Sequence, residues 1–350
     1  MKVPFYSMNS EDFATWWKTE GGSLGPHRRI QSALVCDFLS EVPTFHPEVN
    51  SQLLKKMKEE FSFELPRIVE ARESSDKTIK YLFEFHDGSQ AETVAIPFYK
   101  KYTLCLSTQV GCAMGCTFCF TGTQGLRRNL FSHEIVGQYL AVWKDLKKKR
   151  EHFKTPNIVF MGQGEPLHNF EELKKSLKIL TTTPGLCLGP RQITLSTVGY
   201  LPGLLKFDEL PPINLAISLH SPFDHEREKL IPLNRAYPIE KIFSVLSSMP
   251  WGRRKLINFE YLLLGDLNDD RNHAKALAKV IAPFPSLVNI IPFNPYPGSP
   301  YKRPDNERVQ QFKAWLVEEK VRTMVRVTKG DEILAACGQL ANIFNPNKIG

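Results

Sequence analysis

The chain has 350 residues, 42% hydrophobic and 23% charged, with 25 Pro and 21 Gly spread along it. That is enough for about two structural units around a substantial core, and it excludes a disordered chain, a collagen-like repeat or a small stapled fold. The net charge of +8 and a pI near 9.0 favour polyanionic partners such as nucleic acid. No stretch approaches the ~18 consecutive apolar residues of a membrane helix, and Met1-Lys2-Val3-Pro4 opens no signal sequence, so the expected location is the cytosol. Seven cysteines, an odd number, point to metal ligation or catalysis rather than a secreted disulfide framework.

From Phe13 to Phe63 apolar residues recur at spacings of three and four, including Trp16-Trp17, Ile30, Leu34, Leu53, Met57 and Phe61, which predicts a helical N-terminal unit over 1–75. Tyr81, Phe83 and Phe85 alternate, His86-Asp87-Gly88 supplies turn chemistry and Thr93–Pro97 is extended, predicting a β-hairpin linker over 76–100. Beyond Lys100, strands are expected at 103–107, 157–161, 192–196, 214–219, 257–264 and 287–292. Helices are expected at 132–150, 170–182, 224–230, 239–248 and 269–281, followed by a helix at 302–320 and a last strand at 323–327. This alternation makes residues 101–350 an α/β unit with a parallel sheet, a partial (βα)6 barrel whose functional loops follow the strands.

Cys112-x-x-x-Cys116-x-x-Cys119 follows the first of these strands among Gly111, Gly115 and Gly122. Three thiolates on one glycine-rich loop suit three corners of a 4Fe-4S cluster and leave one iron free for another ligand. Zinc is the competing reading, although a structural zinc site usually takes four protein ligands. Cys36 and Cys187 stand alone and read as structural. Taken by themselves, Cys105 reads as a small buried hydrophobe and Glu92 as a charge on a strand face.

The cysteine spacing, with Phe118 before Cys119, resembles the radical S-adenosylmethionine (SAM) superfamily. Six further blocks narrow it: Cys105–Cys112, Gly164-Glu165-Pro166-Leu167, Leu195–Gly199, Ile217-Ser218-Leu219-His220, Phe293–Gly298 and Ala335–Leu340. With Glu92-Thr93-Val94 they resemble the RlmN/Cfr family of RNA adenine methyltransferases over roughly residues 90–342. The resemblance implies a 4Fe-4S cluster on Cys112, Cys116 and Cys119, and two SAM per turnover, one methylating a cysteine and one cleaved to a 5′-deoxyadenosyl radical. It implies that Cys337 carries the methyl group as S-methylcysteine, that Cys105 resolves the RNA adduct through a transient disulfide with Cys337, and that Glu92 accepts a proton from adenine. Gly164, Glu165, Ser196, Ser218, Leu219, His220 and Asn294 match SAM-binding positions. The implied partners are RNA (23S rRNA, with tRNA as a second substrate) and an electron donor such as flavodoxin or ferredoxin.

The radical route fits the substrate, because adenine C2 and C8 are poor nucleophiles and the hard chemistry falls to cofactors. Release of a thioether-bound product needs a second thiolate, which explains a separated cysteine pair. Gln163 stands where the family carries Met, and Pro166 leans toward the RlmN branch, which methylates C2, over the Cfr branch, which methylates C8. A radical SAM enzyme for another substrate would not need both Cys105 and Cys337, and a non-catalytic RNA-binding factor would not cleave SAM. Arg127-Arg128, Lys147–Arg150 and Arg253-Arg254-Lys255 are candidate phosphate contacts, with solvated helix ends as the alternative.

Overall fold

The computed structural model describes residues 2–23, 25–36, 51–99, 101–149, 154–249 and 256–342. Three helices, α1 (Ser10–Thr19), α2 (Pro26–Cys36) and α3 (Ser51–Glu60), make up most of the N-terminal part. Short strands β1 (Val3–Pro4) and β2 (Phe61–Ser62) pair in parallel beside them. Asn9 caps α1 by accepting from the Glu11 and Asp12 amides. The apolar stripe read from sequence forms an aromatic nucleus here, with Phe5, Phe13 and Trp17 buried and Trp16 edge-on to Phe61 at 4.9 Å.

Strands β3 (Arg67–Glu73), β4 (Ile79–Glu84), β5 (Gln90–Phe98) and β6 (Lys101–Cys105) follow as an antiparallel meander. A ribbon of β7 (Gln109–Gly111) and β8 (Leu126–Asn129) flanks the short helix α4 (Phe120–Thr123). The chain then alternates α5 (Ser132–Lys149), β9 (Lys154–Phe160), α6 (Phe170–Thr181), β10 (Ile193–Thr197), α7 (Leu201–Leu204), β11 (Asn214–Ser218), α8 (Asp224–Leu230), α9 (Ile239–Ser248), β12 (Ile257–Leu263), α10 (Arg271–Ile281), β13 (Ser286–Pro292), α11 (Asn306–Glu318) and β14 (Thr323–Val325).

Among the described residues the main sheet has ten strands in the order β14-β13-β12-β11-β10-β9-β6-β5-β4-β3. From β6 to β14 every pairing is parallel, so six strands from β6 through β13 build the expected partial barrel, with β14 added at its edge. Helices α10 and α11 start later than expected, because Asp270 and Asp305 stand outside them as caps accepting from the His273 and Arg308 amides. The hairpin read from sequence is built into the same sheet: β5 pairs with β6, and β3 extends the edge.

Strand β10 shows how the sheet divides its faces. Ile193, Leu195 and Thr197 are buried, whereas Thr194 and Ser196 are partly exposed toward the other side. Helix α5 is fastened to the sheet by a buried polar bridge. Gln138 Oε1 accepts from the Ser107 amide at 3.1 Å and from Thr93 Oγ1 at 2.7 Å, while Nε2 donates to the Ser107 carbonyl at 3.1 Å. A Gln138→Leu substitution keeps the volume and strands these groups without water, so we expect a loss of about 2–4 kcal/mol in urea unfolding. An unchanged midpoint would show that the bridge contributes nothing net.

Candidate active site

The loop between β7 and α4 carries Cys112, Cys116 and Cys119. It is held by Cys112 N–H to the Gly125 carbonyl at 2.9 Å, Thr117 N–H to Leu230 O at 3.0 Å and Cys119 N–H to Cys116 O at 3.2 Å. All three thiols line one chamber at the C-terminal ends of the strands, together with Gly164, Glu165, Ser196, Ser218 and His220. Burial pushes the Cys112 thiol up to about 12, and burial followed by neighbouring thiols raises Cys116 well above its ordinary value. A soft, all-cysteine donor set of this kind suits an iron-sulfur cluster, whose iron replaces the thiol protons. Among the described residues, no group of three His, Cys, Asp or Glu side chains is placed to hold a single metal ion.

Five of the seven predicted SAM positions line this chamber. Gly164 has φ +101°, and a Cβ there would lie 2.6 Å from Gln109 Cβ, so the turn requires glycine. Glu165 is buried and accepts from the Val198 and Leu167 amides at 3.0 and 3.1 Å, and burial lifts its carboxyl to about 7. Ser196 and Ser218, on neighbouring strands, lie 3.4 Å apart through their hydroxyls. His220 Nδ1 accepts from the Leu262 amide at 3.1 Å, and burial and then Arg227 hold its pKa down to about 3, so the ring stays neutral with its proton on Nε2. The other two fall elsewhere: Leu219 is buried away from the chamber, and Asn294 lines a neighbouring one.

That second chamber contains Cys105, which the first does not. The two share a wall of Cys119, Thr121, Met161, Arg326, Cys337 and Gly338. The predicted methyl carrier Cys337 therefore faces the cysteine loop on one side and shares a chamber with Cys105 on the other. Both thiols are free. Burial, and then Cys337, push the Cys105 thiol up to about 12.

Glu92 is placed differently. It is completely buried, lines neither chamber, and pairs with the equally buried Lys80 at 3.0 Å. Its other oxygen accepts from the Ala341 amide at 3.0 Å, while Lys80 Nζ donates to the Leu334 carbonyl at 3.3 Å. Burial raises the Glu92 carboxyl, and the Lys80 ammonium pulls it partly back. Gln163, the departure from the family motif, accepts at its side-chain oxygen from the Glu92 amide at 3.1 Å, tying β5 to the glycine turn.

Besides Lys80, sequence reasoning missed the buried Arg227 and Glu260 and the half-buried Arg326. Arg227 donates to the carbonyls of Val198, Ser218 and Leu219 at 2.7, 3.0 and 3.0 Å, fixing the loops after β10 and β11. It lies in the Asp224–Leu230 segment, whose alternating charges read as a solvated face. Glu260 and Arg326 line the first chamber, and Asn289 donates to Glu260 at 2.7 Å. Among the basic runs, Arg128 is held by Asp87 and Glu134 at 2.6 and 2.8 Å, and Lys149 forms an exposed ion pair with Asp145 at 2.7 Å. Arg150 and Arg253-Arg254-Lys255 lie outside the described residues, as does the Cys36 side chain. Cys187 is exposed, so it packs no core.

A parallel partial barrel with three cysteines on the loop after its first strands defines a radical SAM enzyme, and residues 106–271 match the Radical SAM superfamily model. A radical SAM methyltransferase from Sphaerobacter thermophilus superposes with a TM-score of 0.87 at 33% identity, covering 97% of this chain and 99% of that one. "Dual-specificity RNA methyltransferase RlmN" of Syntrophobacter fumaroxidans is 42% identical over 273 residues, 78% of this chain and 79% of that protein. "Probable dual-specificity RNA methyltransferase RlmN" of Akkermansia muciniphila is 38% identical over 97% of this chain and 95% of its own length. The chain belongs to the RlmN/Cfr family and is a radical SAM RNA methyltransferase. Its cofactors are accordingly a 4Fe-4S cluster and SAM. No helix among the described residues is long and apolar enough to cross a membrane.

The buried pair gives a testable consequence. Lys80→Met leaves the Glu92 carboxylate sealed without a cation, and we expect a loss of about 3–5 kcal/mol, with Lys80→Met/Glu92→Gln recovering most of it. The deficit should shrink as pH falls. Glu92's folded pKa lies above its unfolded value, so the penalty is present at high pH and is relieved once the carboxylate takes up a proton. Urea unfolding at several pH values checks this; a pH-independent deficit would assign the loss to packing alone.

Proposed function

We propose that this enzyme methylates C2 of adenine in 23S rRNA and in tRNA through an S-methylcysteine at Cys337, within the cytosol and with a flavodoxin or ferredoxin as electron donor. The observation that carries the reading is the position of Cys337 in the wall between a chamber holding three clustered thiols and one holding Cys105. Bound on Cys112, Cys116 and Cys119, the cluster supplies one-electron chemistry, and SAM supplies the methyl group. Gly164, Glu165, Ser196, Ser218 and His220 hold SAM, two molecules being consumed per turnover. His220 stays neutral near neutral pH and so adds no positive charge against a sulfonium.

The protein's own steps fall to three residues. Cys337 accepts the methyl group on sulfur and presents it to the second chamber, where that carbon, having given up one hydrogen atom to the radical that SAM would supply, would bond to the adenine ring carbon, the adduct returning one electron to the cluster. Glu92 takes the proton from that ring carbon, a role assigned by the family resemblance and supported by the burial that makes its carboxylate a stronger base. The Cys105 thiolate then attacks the Cys337 sulfur, forming the transient disulfide, while the released carbon keeps the carbon–sulfur bond electrons and takes up a proton to become the methyl group of the product. The Pro166 that follows Glu165 supports C2 over C8.

Anaerobic incubation of the iron-loaded enzyme with SAM, reductant and total RNA, followed by nucleoside mass spectrometry, should yield 2-methyladenosine. Its replacement by 8-methyladenosine would move the enzyme to the Cfr reaction, and SAM cleavage without methylated adenosine would assign another substrate. Cys116→Ala should abolish both the cluster's visible absorption and methylation. Cys105→Ala should accumulate a covalent protein–RNA adduct, and free methylated product from that variant would remove the disulfide step.

A further inference from the structure

The second chamber opens at a rim of large apolar side chains that water covers poorly. Tyr99 is 91% exposed, Val327 72%, Phe98 59% and Met324 49%. Phe98, Met324 and Val327 line the chamber mouth, and the Tyr99 ring meets the Phe98 ring edge-on at 4.8 Å. Other exposed large hydrophobics, such as Leu205, Leu267 and Val317, do not line it, so this grouping calls for an occupant.

The backbone adds a second observation. Phe98 pairs with Lys101 across the β5–β6 hairpin, so the connection is two residues long, and Tyr99 takes φ +50°. Such turns favour Gly or Asn in the left-handed region, where a bulky aromatic is strained. An aromatic kept there against that preference presents its ring outward at a cost, which is common where a loop binds something. Lys329 lines the same mouth, and Arg326 lies deeper in it. Aromatic faces beside cations, above a cavity that reaches Cys105 and Cys337, are the composition of a single-stranded nucleic-acid platform.

We infer that the Phe98–Tyr99 hairpin tip, with Met324 and Val327 behind it, is a stacking platform for the bases flanking the adenine that enters the second chamber. It rests on the RNA reading above. A base withdrawn from its stack leaves unstacked neighbours, and aromatic rings at the entrance replace the lost stacking without reading sequence. The platform therefore grips unpaired RNA next to the target, while the chamber selects the base.

The test compares wild type, Phe98→Ala/Tyr99→Ala and Phe98→Tyr/Tyr99→Phe in methylation of total RNA across a range of RNA concentrations. The alanine pair should raise KM for RNA by about tenfold or more with a smaller change in kcat, and the aromatic-preserving pair should stay within about twofold of wild type. An unchanged KM in the alanine pair would overturn the inference and leave the rings to a protein partner, and equal damage from both pairs would also overturn it. Ultraviolet cross-linking of RNA to the unsubstituted enzyme provides a second arm. Adducts on Phe98 or Tyr99 support the platform, and adducts confined to other peptides overturn it. If wild type transfers no methyl group to RNA, the proposed function fails; if it does and the variants behave alike, only the platform fails.

Discussion

The segment from Leu334 to Asn342 closes the barrel mouth, and the site depends on how it is tied down. Phe120 N–H donates to Gly338 O at 2.7 Å, Thr121 Oγ1 to Leu340 O at 2.5 Å and Gln124 Nε2 to Ala341 O at 2.7 Å, so the helix after the cysteine loop grips the segment directly. From the other side, Lys80 and Glu92 hold Leu334 and Ala341. Gln339 completes the frame by donating to Pro295 O at 2.7 Å and Asp331 at 2.8 Å. The cluster loop, the antiparallel extension and the end of β13 thus meet on one short stretch of chain, and Cys337 is placed by all three.

This arrangement explains why the antiparallel strands belong to the active unit. Strands β4 and β5 supply the buried ion pair, and β5 lies beside β6, which ends in Cys105. Gln163 links the same strand to the glycine turn through the Glu92 amide. A side chain that departs from the family motif thereby joins the expected SAM turn to the expected proton acceptor through its oxygen.

Much of this was legible in the sequence because it rests on local pattern. The alternation of Ile193–Thr197, the helical stripe of Phe170–Thr181 and the cysteine spacing need no tertiary information. What stayed hidden was long-range. Strand β3 carries Arg, Glu and Ala in an edge position with most residues partly exposed, so its pairing with β4 leaves no clean period. Arg227 is buried only because carbonyls at the ends of two strands, Val198 after β10 and Ser218 and Leu219 at the end of β11, converge on it, and Lys80 only because Glu92 arrives from the next strand. The seven SAM positions came from resemblance, and the structure groups five of them in one chamber because the ends of β9, β10 and β11 converge there, while Asn294 is drawn to the Cys337 carbonyl, 3.4 Å away.

A thiol in the wall between two chambers, proposed to carry a methyl group from one to the other, must be held in place and still turn. The bonds that hold the segment fall on either side of Cys337, at Leu334 and Ala336 before it and at Gly338, Leu340 and Ala341 after it. Among the described residues, Asn294 donates to the Cys337 carbonyl at 3.4 Å, and Arg326 interacts with the thiol. Gly338, next in the chain, has φ +83°, a conformation that strains any residue with a Cβ. Anchors at both ends with a glycine beside the thiol-bearing residue leave few dihedrals for the side chain to move by. The frame sets where Cys337 sits, and the Arg326 guanidinium bonded to its thiol is the contact a turn of that side chain must give up.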